Sequence, residues 1–206
     1  MSVYIKVPKD CCDRKKIPCD CGKERDCARC EPLSPCPKKI LLECGTPGGS
    51  MMFTATNQTF VAANVTVDTS CFCKPITDLQ FTSQVSAVLQ PGVGTLAEPG
   101  DDAEVILVYE LVCRRNGGSE ITIGSWTFRR FLSALTVVDT TGFAAQSLET
   151  YDTFSFSRCL CPTPCQGCID YFVRVTATLV SQDVNMLNNA SATVSMGQLV
   201  AKIQEC

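Results

Sequence analysis

The sequence predicts an all-β fold: a two-sheet antiparallel sandwich, with a jelly roll as the favoured topology, and an extended cysteine-rich N-terminal arm. Most of the chain consists of runs rich in Val, Ile, Thr, Phe and Tyr, separated by turns of Gly, Pro, Asn and Asp. No stretch shows a helical period with caps. Residues 11–38 instead combine many cysteines with charged residues and prolines.

Ten segments from residue 40 onward are predicted as strands. They are residues 40–44, 51–54, 59–68, 78–89, 104–114, 120–131, 135–139, 150–159, 169–181 and 192–202. Strands at this spacing, joined by turns such as 45–49 and 115–118, are typical of a sandwich.

The segment 169–181 shows the clearest two-faced pattern. Its polar residues alternate with apolar ones, which predicts one wet face and one buried face. The predicted wet face consists of Arg174, Thr176 and Thr178, and the predicted buried face of Val173, Val175, Ala177 and Leu179.

The chain is predicted to divide at about residue 38, into an arm at 1–38 and a sandwich domain at 39–206. The arm holds seven of the sixteen cysteines: Cys11, Cys12, Cys19, Cys21, Cys27, Cys30 and Cys36. Since other apolar side chains are nearly absent from residues 11–38, this segment cannot build a hydrophobic core. Covalent bonds, a metal or a neighbouring molecule must order it.

A short strand is predicted at the very start of the arm. Val3, Ile5 and Val7 alternate with Tyr4 and Lys6, which is the period-two pattern of a β-strand. A terminal strand on a proline-rich tether suits pairing with an open sheet edge of another copy, and we call it the docking strand. The alternative is an edge strand on the subunit's own body.

Composition argues against several classes of function. The formal net charge of −3 disfavours nucleic acid as a partner. The sequence has no run of about 18 apolar residues, the length that a membrane-spanning helix needs. The sequence contains no histidine, the commonest general base and metal ligand, and shows no catalytic motif. We therefore expect no enzyme activity and no cofactor, and the sequence identifies no small-molecule substrate; a ligand-binding module of sandwich type stays open as a third function.

The expected location is extracellular or on a spore surface, although no signal peptide is recognisable at the start of the chain. Cysteine near 8% of a chain implies disulfides or metal, and disulfides need oxidant. Either a longer precursor is trimmed, or the protein is released when a cell lyses.

The cysteines are the candidate functional residues. In a Cys-x-Cys on a strand both side chains point to the same face, so they cannot easily bridge each other and are placed for partners on another strand or chain. For any one body cysteine an intradomain disulfide is the favoured interpretation; Cys44, Cys113 and Cys206 are more isolated. The candidates for inter-subunit disulfides are Cys11, Cys12, Cys19, Cys21, Cys71, Cys73, Cys159 and Cys161.

A metal site is the alternative for the arm. Cys19, Cys21, Cys27 and Cys30 could supply four thiolates to zinc. Zinc ribbons, however, use two Cys-x-x-Cys knuckles with a longer spacer than the five residues found here. Disulfides are therefore favoured over metal.

Two resemblances to known families add to this interpretation. Residues 40–49, 67–73 and 79–83 resemble a clostridial domain family of unknown function. The dicysteine Cys11-Cys12, the segment 126–131 and the cysteine-bearing β body are similar in style to endospore appendage subunits of spore-forming Firmicutes.

The second resemblance implies a specific function. Endospore appendage subunits are jelly-roll proteins whose N-terminal connectors lock neighbouring subunits by disulfides into stable fibres, and Cys11 and Cys12 match the connector dicysteine. The expected function is therefore a structural subunit that polymerises with copies of itself into a disulfide-cross-linked fibre. The alternative is a thiolate-rich metal-binding or redox-buffer protein.

Overall fold

The computed structural model describes residues 40–70, 72, 75–91, 102–115, 117–133, 147–160, 167–181 and 189–205. Its regular elements are strands: β1 Ile40–Cys44, β2 Thr46–Pro47, β3 Met51–Phe53, β4 Thr59–Asp68, β5 Pro75–Gln90, β6 Ala103–Arg115, β7 Glu120–Leu132, β8 Leu148–Leu160, β9 Cys168–Val180 and β10 Asn189–Glu205. No helix in this part of the chain is long and apolar enough to cross a membrane.

The strands form two antiparallel sheets. Sheet 1 has the order β1-β10-β5-β8, with β3 also paired to β10, and sheet 2 has the order β2-β4-β9-β6-β7. The pairs are nested along the chain: β6 with β7, β5 with β8, β4 with β9, and β1 and β3 with β10. One long ribbon folded over in this way is a jelly roll, which confirms the predicted fold class.

The predicted strands agree with the observed ones to within a few residues. The first and third have the predicted bounds, whereas β5 and β10 extend beyond the predicted ranges, to Pro75–Gln90 and Asn189–Glu205. The strand predicted at 135–139 lies outside the described residues. Sequence reasoning missed β2, because it lies within a Gly-Pro-rich segment that was interpreted as a turn.

The 45–48 segment joins the two sheets along one side of the sandwich. The Gly45 N–H donates to the Leu199 carbonyl oxygen of β10 in sheet 1, at 2.8 Å. The Gly48 N–H donates to the Ala62 carbonyl oxygen of β4 in sheet 2, also at 2.8 Å. A turn-rich sequence therefore forms a backbone bridge across the open side of the sandwich.

A β-bulge changes which side chains of β9 face the core. The register shifts between Ile106 and Leu107 of β6, so β9 carries one extra residue there. Val173, Val175 and Ala177 are buried as predicted, but the next buried side chain is Val180. The prediction that Leu179 lies on the buried face is wrong, since the extra residue reverses the alternation.

The core fills the space between the sheets, with aromatic rings concentrated where β7 and β8 meet. The rings of Trp126 and Phe156 stack at 3.8 Å, and those of Tyr109 and Phe154 at 4.2 Å. Such pairs stabilise a core by about 0.5–1.5 kcal/mol beyond the area they bury. They hold the two sheets together along the side formed by β7 and β8.

An ion pair joins the same two strands. Arg130 of β7 donates two hydrogen bonds to Asp152 of β8, at 3.1 Å and 2.6 Å. Its guanidinium also lies 4.8 Å from the centre of the Phe128 ring. A bidentate pair restrained by stacking is worth more than an ordinary surface pair, so it reinforces the aromatic contact between the sheets.

Replacement of Gly197 should destabilise the sandwich. A Cβ at Gly197 would meet the Ala62 carbonyl oxygen at 2.2 Å, whereas a Cβ at Gly49 would meet nothing within 4 Å. We expect Gly197→Ala to cost about 1–3 kcal/mol in the free energy of unfolding, the usual range for overpacking. Urea unfolding measures this cost, with Gly49→Ala as the control that should stay near wild type. Equal stability of the two variants would contradict the packing.

Alkaline pH should weaken the fold through Tyr109. Burial raises the pKa of Tyr109 to about 12 from 10.0, and the Ser83 hydroxyl opposes this rise. The folded pKa lies above the unfolded one, so the stabilisation is fully present below pH 10 and is lost as pH rises through about 12. The loss is about 1.4 kcal/mol per pH unit.

Tyr109→Phe should remove this slope, measured as the free energy of unfolding in urea at several pH values between about 9 and 11. The comparison variant is Tyr151→Phe: its ring is exposed to solvent, and the hydrogen bond to Glu149 raises the pKa of Tyr151, so it should reduce the slope less than Tyr109→Phe does. An unchanged slope in Tyr109→Phe would show that Tyr109 does not set the alkaline limit.

Candidate functional site

One end of the sandwich collects the beginnings or ends of eight strands, and we call it the cysteine end. In sheet 1 it is marked by the pairs Ile40–Gln204, Pro75–Glu205 and Thr77–Leu160. In sheet 2 it is marked by the pairs Asp68–Cys168 and Arg114–Glu120. The two sheets meet at this end because β4 runs into β5 and β8 runs into β9 through short connections.

Hydrogen bonds join those two connections. The Thr69 N–H donates to the Gly167 carbonyl oxygen at 2.9 Å, and the Gly167 N–H donates to the Thr69 hydroxyl at 3.0 Å. Thr69 is fully buried although it is polar. Both of its polar groups therefore find partners, which fixes the first residue after β4 against the residue before β9.

The body cysteines are strongly biased toward this end. Cys159 and Cys168 lie at strand ends there, and Cys113 lies two residues before the end of β6. The segments that leave this end carry Cys71, Cys73, Cys161, Cys165 and Cys206 in the sequence. The segments that join strands at the opposite end, 54–58, 91–102, 133–147 and 181–188, contain no cysteine. The nested topology thus gives the sandwich one cysteine-bearing end and one cysteine-free end.

The N-terminal arm joins the body at the same end. Ile40, the first residue of β1, pairs with Gln204 near the end of β10. The arm's seven cysteines are therefore tethered to the end that already carries most of the body's cysteines. The docking strand (Val3, Ile5, Val7) and the arm candidates Cys11, Cys12, Cys19 and Cys21 lie outside the described residues, as do Cys71, Cys73 and Cys161.

Cys159 is the one inter-subunit candidate that the structure describes. It carries an exposed thiol and lies on the outer face of sheet 1, directly opposite Asp78 of β5. With Ile76, Lys202 and Gln204 these two residues line a shallow depression of about 250 Å³. The depression lies beside the point where the arm joins the body, so an incoming cysteine can approach Cys159 from solvent.

Cys44 is a second exposed thiol, which the sequence analysis did not include among the inter-subunit candidates. It faces outward on β1, while Cys159 faces outward on β8, with β10 and β5 between them. Three strand spacings separate the two by about 14 Å, well beyond the reach of a disulfide. Within one subunit, Cys44 and Cys159 cannot bond to each other.

The remaining described cysteines differ from these two. Cys168 is disulfide-bonded, and Cys113 is fully buried in the core. Intradomain pairing does not extend to Cys44 or Cys159. The exposure of a cysteine could not be predicted from sequence, because it depends on which face of which strand carries the side chain.

The structure tests metal binding only within the residues it describes. Among these, no group of three or more Cys, Asp or Glu side chains is placed to hold a metal ion. The alternative zinc ligands Cys19, Cys21, Cys27 and Cys30 lie outside them. Zinc in the arm therefore stays a prediction.

The outer face of sheet 2 carries a different chemistry, a network of ion pairs around Phe172. Arg174 contacts Glu110 at 3.5 Å and Glu120 at 2.9 Å, and Arg114 contacts Asp170 at 3.4 Å. Both guanidinium groups lie within 6 Å of the Phe172 ring centre. These charges largely satisfy one another, so the surface is not poised to bind an ion.

Comparison with known proteins gives a family match and some weakly similar solved structures. Residues 37–196 match the family model of DUF4489, a domain of unknown function. No curated protein is significantly similar to the chain. A chain from infectious bursal disease virus strain Gx has 10% identity and a TM-score of 0.38, over 81% of this chain and 32% of that one. A chain from strain Gt of the virus has 11% identity and a TM-score of 0.36, over 82% and 38%.

The chain thus spans about a third of the length of those viral chains. The family match, in contrast, covers most of the described sandwich, from before β1 into β10. The protein is a member of the DUF4489 family of domains of unknown function.

Proposed function

We propose that this protein is a structural subunit, not an enzyme, that polymerises with copies of itself into a disulfide-cross-linked extracellular or spore-surface fibre. The N-terminal arm of one copy reaches a neighbouring copy, donates its docking strand and forms disulfides there. The observation that carries the proposal is the polarity of the sandwich, in which the arm's root and most body cysteines share one end.

A polar subunit suits a head-to-tail assembly. An arm that leaves one end of the body and binds a different surface of the next copy makes a heterologous interface, which gives a filament when it does not close into a ring. Residues 1–39 can span at most about 130 Å when extended. The longest described strand, β10 with 17 residues, is about 55 Å long. The arm is therefore long enough to reach past an entire neighbouring body.

The edge strands of the two sheets offer places for the docking strand. Among the described residues, β7 and β8 are edge strands of 13 residues each and lie on the same side of the sandwich. Long edges left unpaired are aggregation hazards, and a donated strand removes the hazard while it adds main-chain hydrogen bonds. The exposed thiol of Cys159 on β8 then lies next to an edge that the arm can occupy.

A disulfide makes such a contact permanent. Strand addition alone is reversible, whereas a bond between Cys159 and an arm cysteine of a neighbour is covalent until it is reduced. The similarity of Cys11-Cys12 to the connectors of endospore appendage subunits supports the same role for the arm. Because the proposed cross-links lie at the surface, they form without disturbing the core.

Non-reducing electrophoresis tests the disulfides. Wild-type protein should give a ladder or material that fails to enter the gel, and it should collapse to about 22 kDa with reductant. Cys11→Ser/Cys12→Ser should shorten the ladder, because the proposed arm bonds are lost. Cys27→Ser/Cys30→Ser, an equal change in the same arm, is the control and should keep it.

Two results would contradict the proposal. If wild-type protein ran as a monomer both with and without reductant, no disulfide-linked polymer would exist. Stoichiometric zinc with unblocked arm thiols would favour the metal-binding alternative. Mixing isotope-labelled and unlabelled copies before assembly identifies bonds between subunits, since their linked peptides contain one labelled and one unlabelled half.

The docking strand is tested separately from the disulfides. Val3→Ser/Ile5→Ser/Val7→Ser should slow assembly under reducing conditions, because the apolar face that packs on a neighbour is removed. Light scattering measures the assembly rate, and Tyr4→Ser/Lys6→Ser alters the opposite face as the control. An equal effect of both variants would show that strand orientation does not matter, against donation to a sheet.

A further inference from the structure

The outer face of sheet 1 contains a second depression, far from the cysteine end. It has a volume of about 370 Å³ and is lined by Gln84, Val85, Ser86, Tyr151, Asp152, Thr153 and Ser195. Tyr151 and Cys159 are eight residues apart on β8, or roughly 26 Å along the strand. We call it the bulge depression, because it lies where β10 carries a β-bulge.

The bulge explains why a flat sheet has a concave surface here. The register between β10 and β5 shifts between Ser195 and Gln198, and Met196 adopts a positive φ of 53°. A bulge bends its strand and increases the local twist. Gly197 faces the interior against Ala62, so β10 cannot straighten without moving the second sheet. The shape of the depression is therefore fixed by the fold.

The floor of the bulge depression is polar and uncharged. Gln84 and Ser86 come from β5, Thr153 from β8 and Ser195 from β10. Hydroxyl and amide groups both donate and accept hydrogen bonds. The carboxylate of Asp152 is already bound to Arg130 of β7, so it adds little free charge.

Of the exposed apolar side chains in this region, Tyr151 lines the depression, whereas Met52 and Met196 are not among its lining residues. The register places Met52, Thr193, Ser86 and Tyr151 in one row across β3, β10, β5 and β8. Met52 and Tyr151, the two ends of that row, are 60% and 77% exposed, and Met196 at the bulge is 68% exposed. The Tyr151 hydroxyl donates a hydrogen bond to Glu149, which restrains an otherwise free ring.

We propose that the bulge depression binds a neutral saccharide. A sugar ring presents hydroxyls at its edge and C–H groups on its faces, which matches a floor of hydroxyl and amide groups beside an exposed aromatic ring. The volume falls within the range typical of small-molecule sites. An anion finds no basic side chain among the lining residues, and a purely apolar ligand would leave the floor without hydrogen-bond partners.

The inference does not depend on polymerisation, but the two combine physically. A single open site of this kind binds weakly, because much of the ligand stays in water. Copies repeated along a fibre would bind a long polysaccharide with much higher avidity, without any new contact.

Titration calorimetry of the full-length protein with neutral linear oligosaccharides of glucose, N-acetylglucosamine and mannose tests the site. We expect at least one to bind with a dissociation constant in the millimolar range. Tyr151→Ala should weaken that binding at least about tenfold, comparable to the loss of a stacking aromatic elsewhere. Tyr151→Phe should bind within about threefold of wild type, because the ring face remains.

Matched variants separate the site from general surface effects. Gln84→Leu should also weaken binding, since it removes floor hydrogen bonds without touching Tyr151. Phe131→Ala removes an exposed aromatic side chain of sheet 2 and should change nothing. Since these positions lie at the surface, thermal melts should show that every variant folds.

Three results would overturn the proposal. The first is that no oligosaccharide binds the wild-type protein. The second is that Tyr151→Ala binds as well as wild type. The third is that an apolar peptide binds in the depression and displaces any oligosaccharide, while Tyr151→Ala leaves oligosaccharide binding unchanged. None of these results affects the disulfide ladder, so the proposal of a saccharide site and the proposal of a fibre are tested independently.

Discussion

The insertion of β10 between β5 and the β1–β3 edge is the interaction on which the rest of this structure depends. β10 pairs with three strands and completes the nested ribbon. Its inward side chains are all buried in the core: Ala190, Ala192, Val194, Leu199, Ala201 and Ile203. Since β1 is the first and β10 the last of the described strands, the sandwich closes only when these two distant segments meet. Folding that needs such distant pairing is intrinsically slow.

The same closure determines where chemistry can take place. The meeting of β1 with β10 places the root of the arm beside the C-terminal segment, and the nested pairs bring the strand ends that carry cysteines to that end as well. A cysteine-free opposite end follows from the same topology. The exposed thiols of Cys44 and Cys159 thus lie outside the core, whereas Cys113 is buried in it.

The β10 bulge illustrates how one local irregularity serves two purposes. On its inner side, Gly197 lets the strand approach Ala62 of the opposite sheet more closely than any side chain would allow. On its outer side, the same irregularity opens a concave, uncharged surface beside Tyr151. A regular strand would give neither the close sheet contact nor the depression, because side chains would alternate evenly on both faces.

The sequence by itself determined the fold class and most strand positions, because these depend on local alternation and composition. Thr59–Asp68, for example, has the predicted bounds, since its alternation and flanking turns are local signals. Local signals could not reveal that Leu179 turns away from the buried face, since that bulge exists only where β9 meets β6.

Only the tertiary structure decided which cysteines share an end and which are exposed. Cys44 and Cys159 are 115 positions apart in the sequence, yet both face outward from sheet 1. Strand order and face assignment are long-range properties, set by which strands pair across the core. The cysteine content predicted disulfides or metal binding. The nested strand pairs decided that the strand ends next to most body cysteines lie at one end of the sandwich.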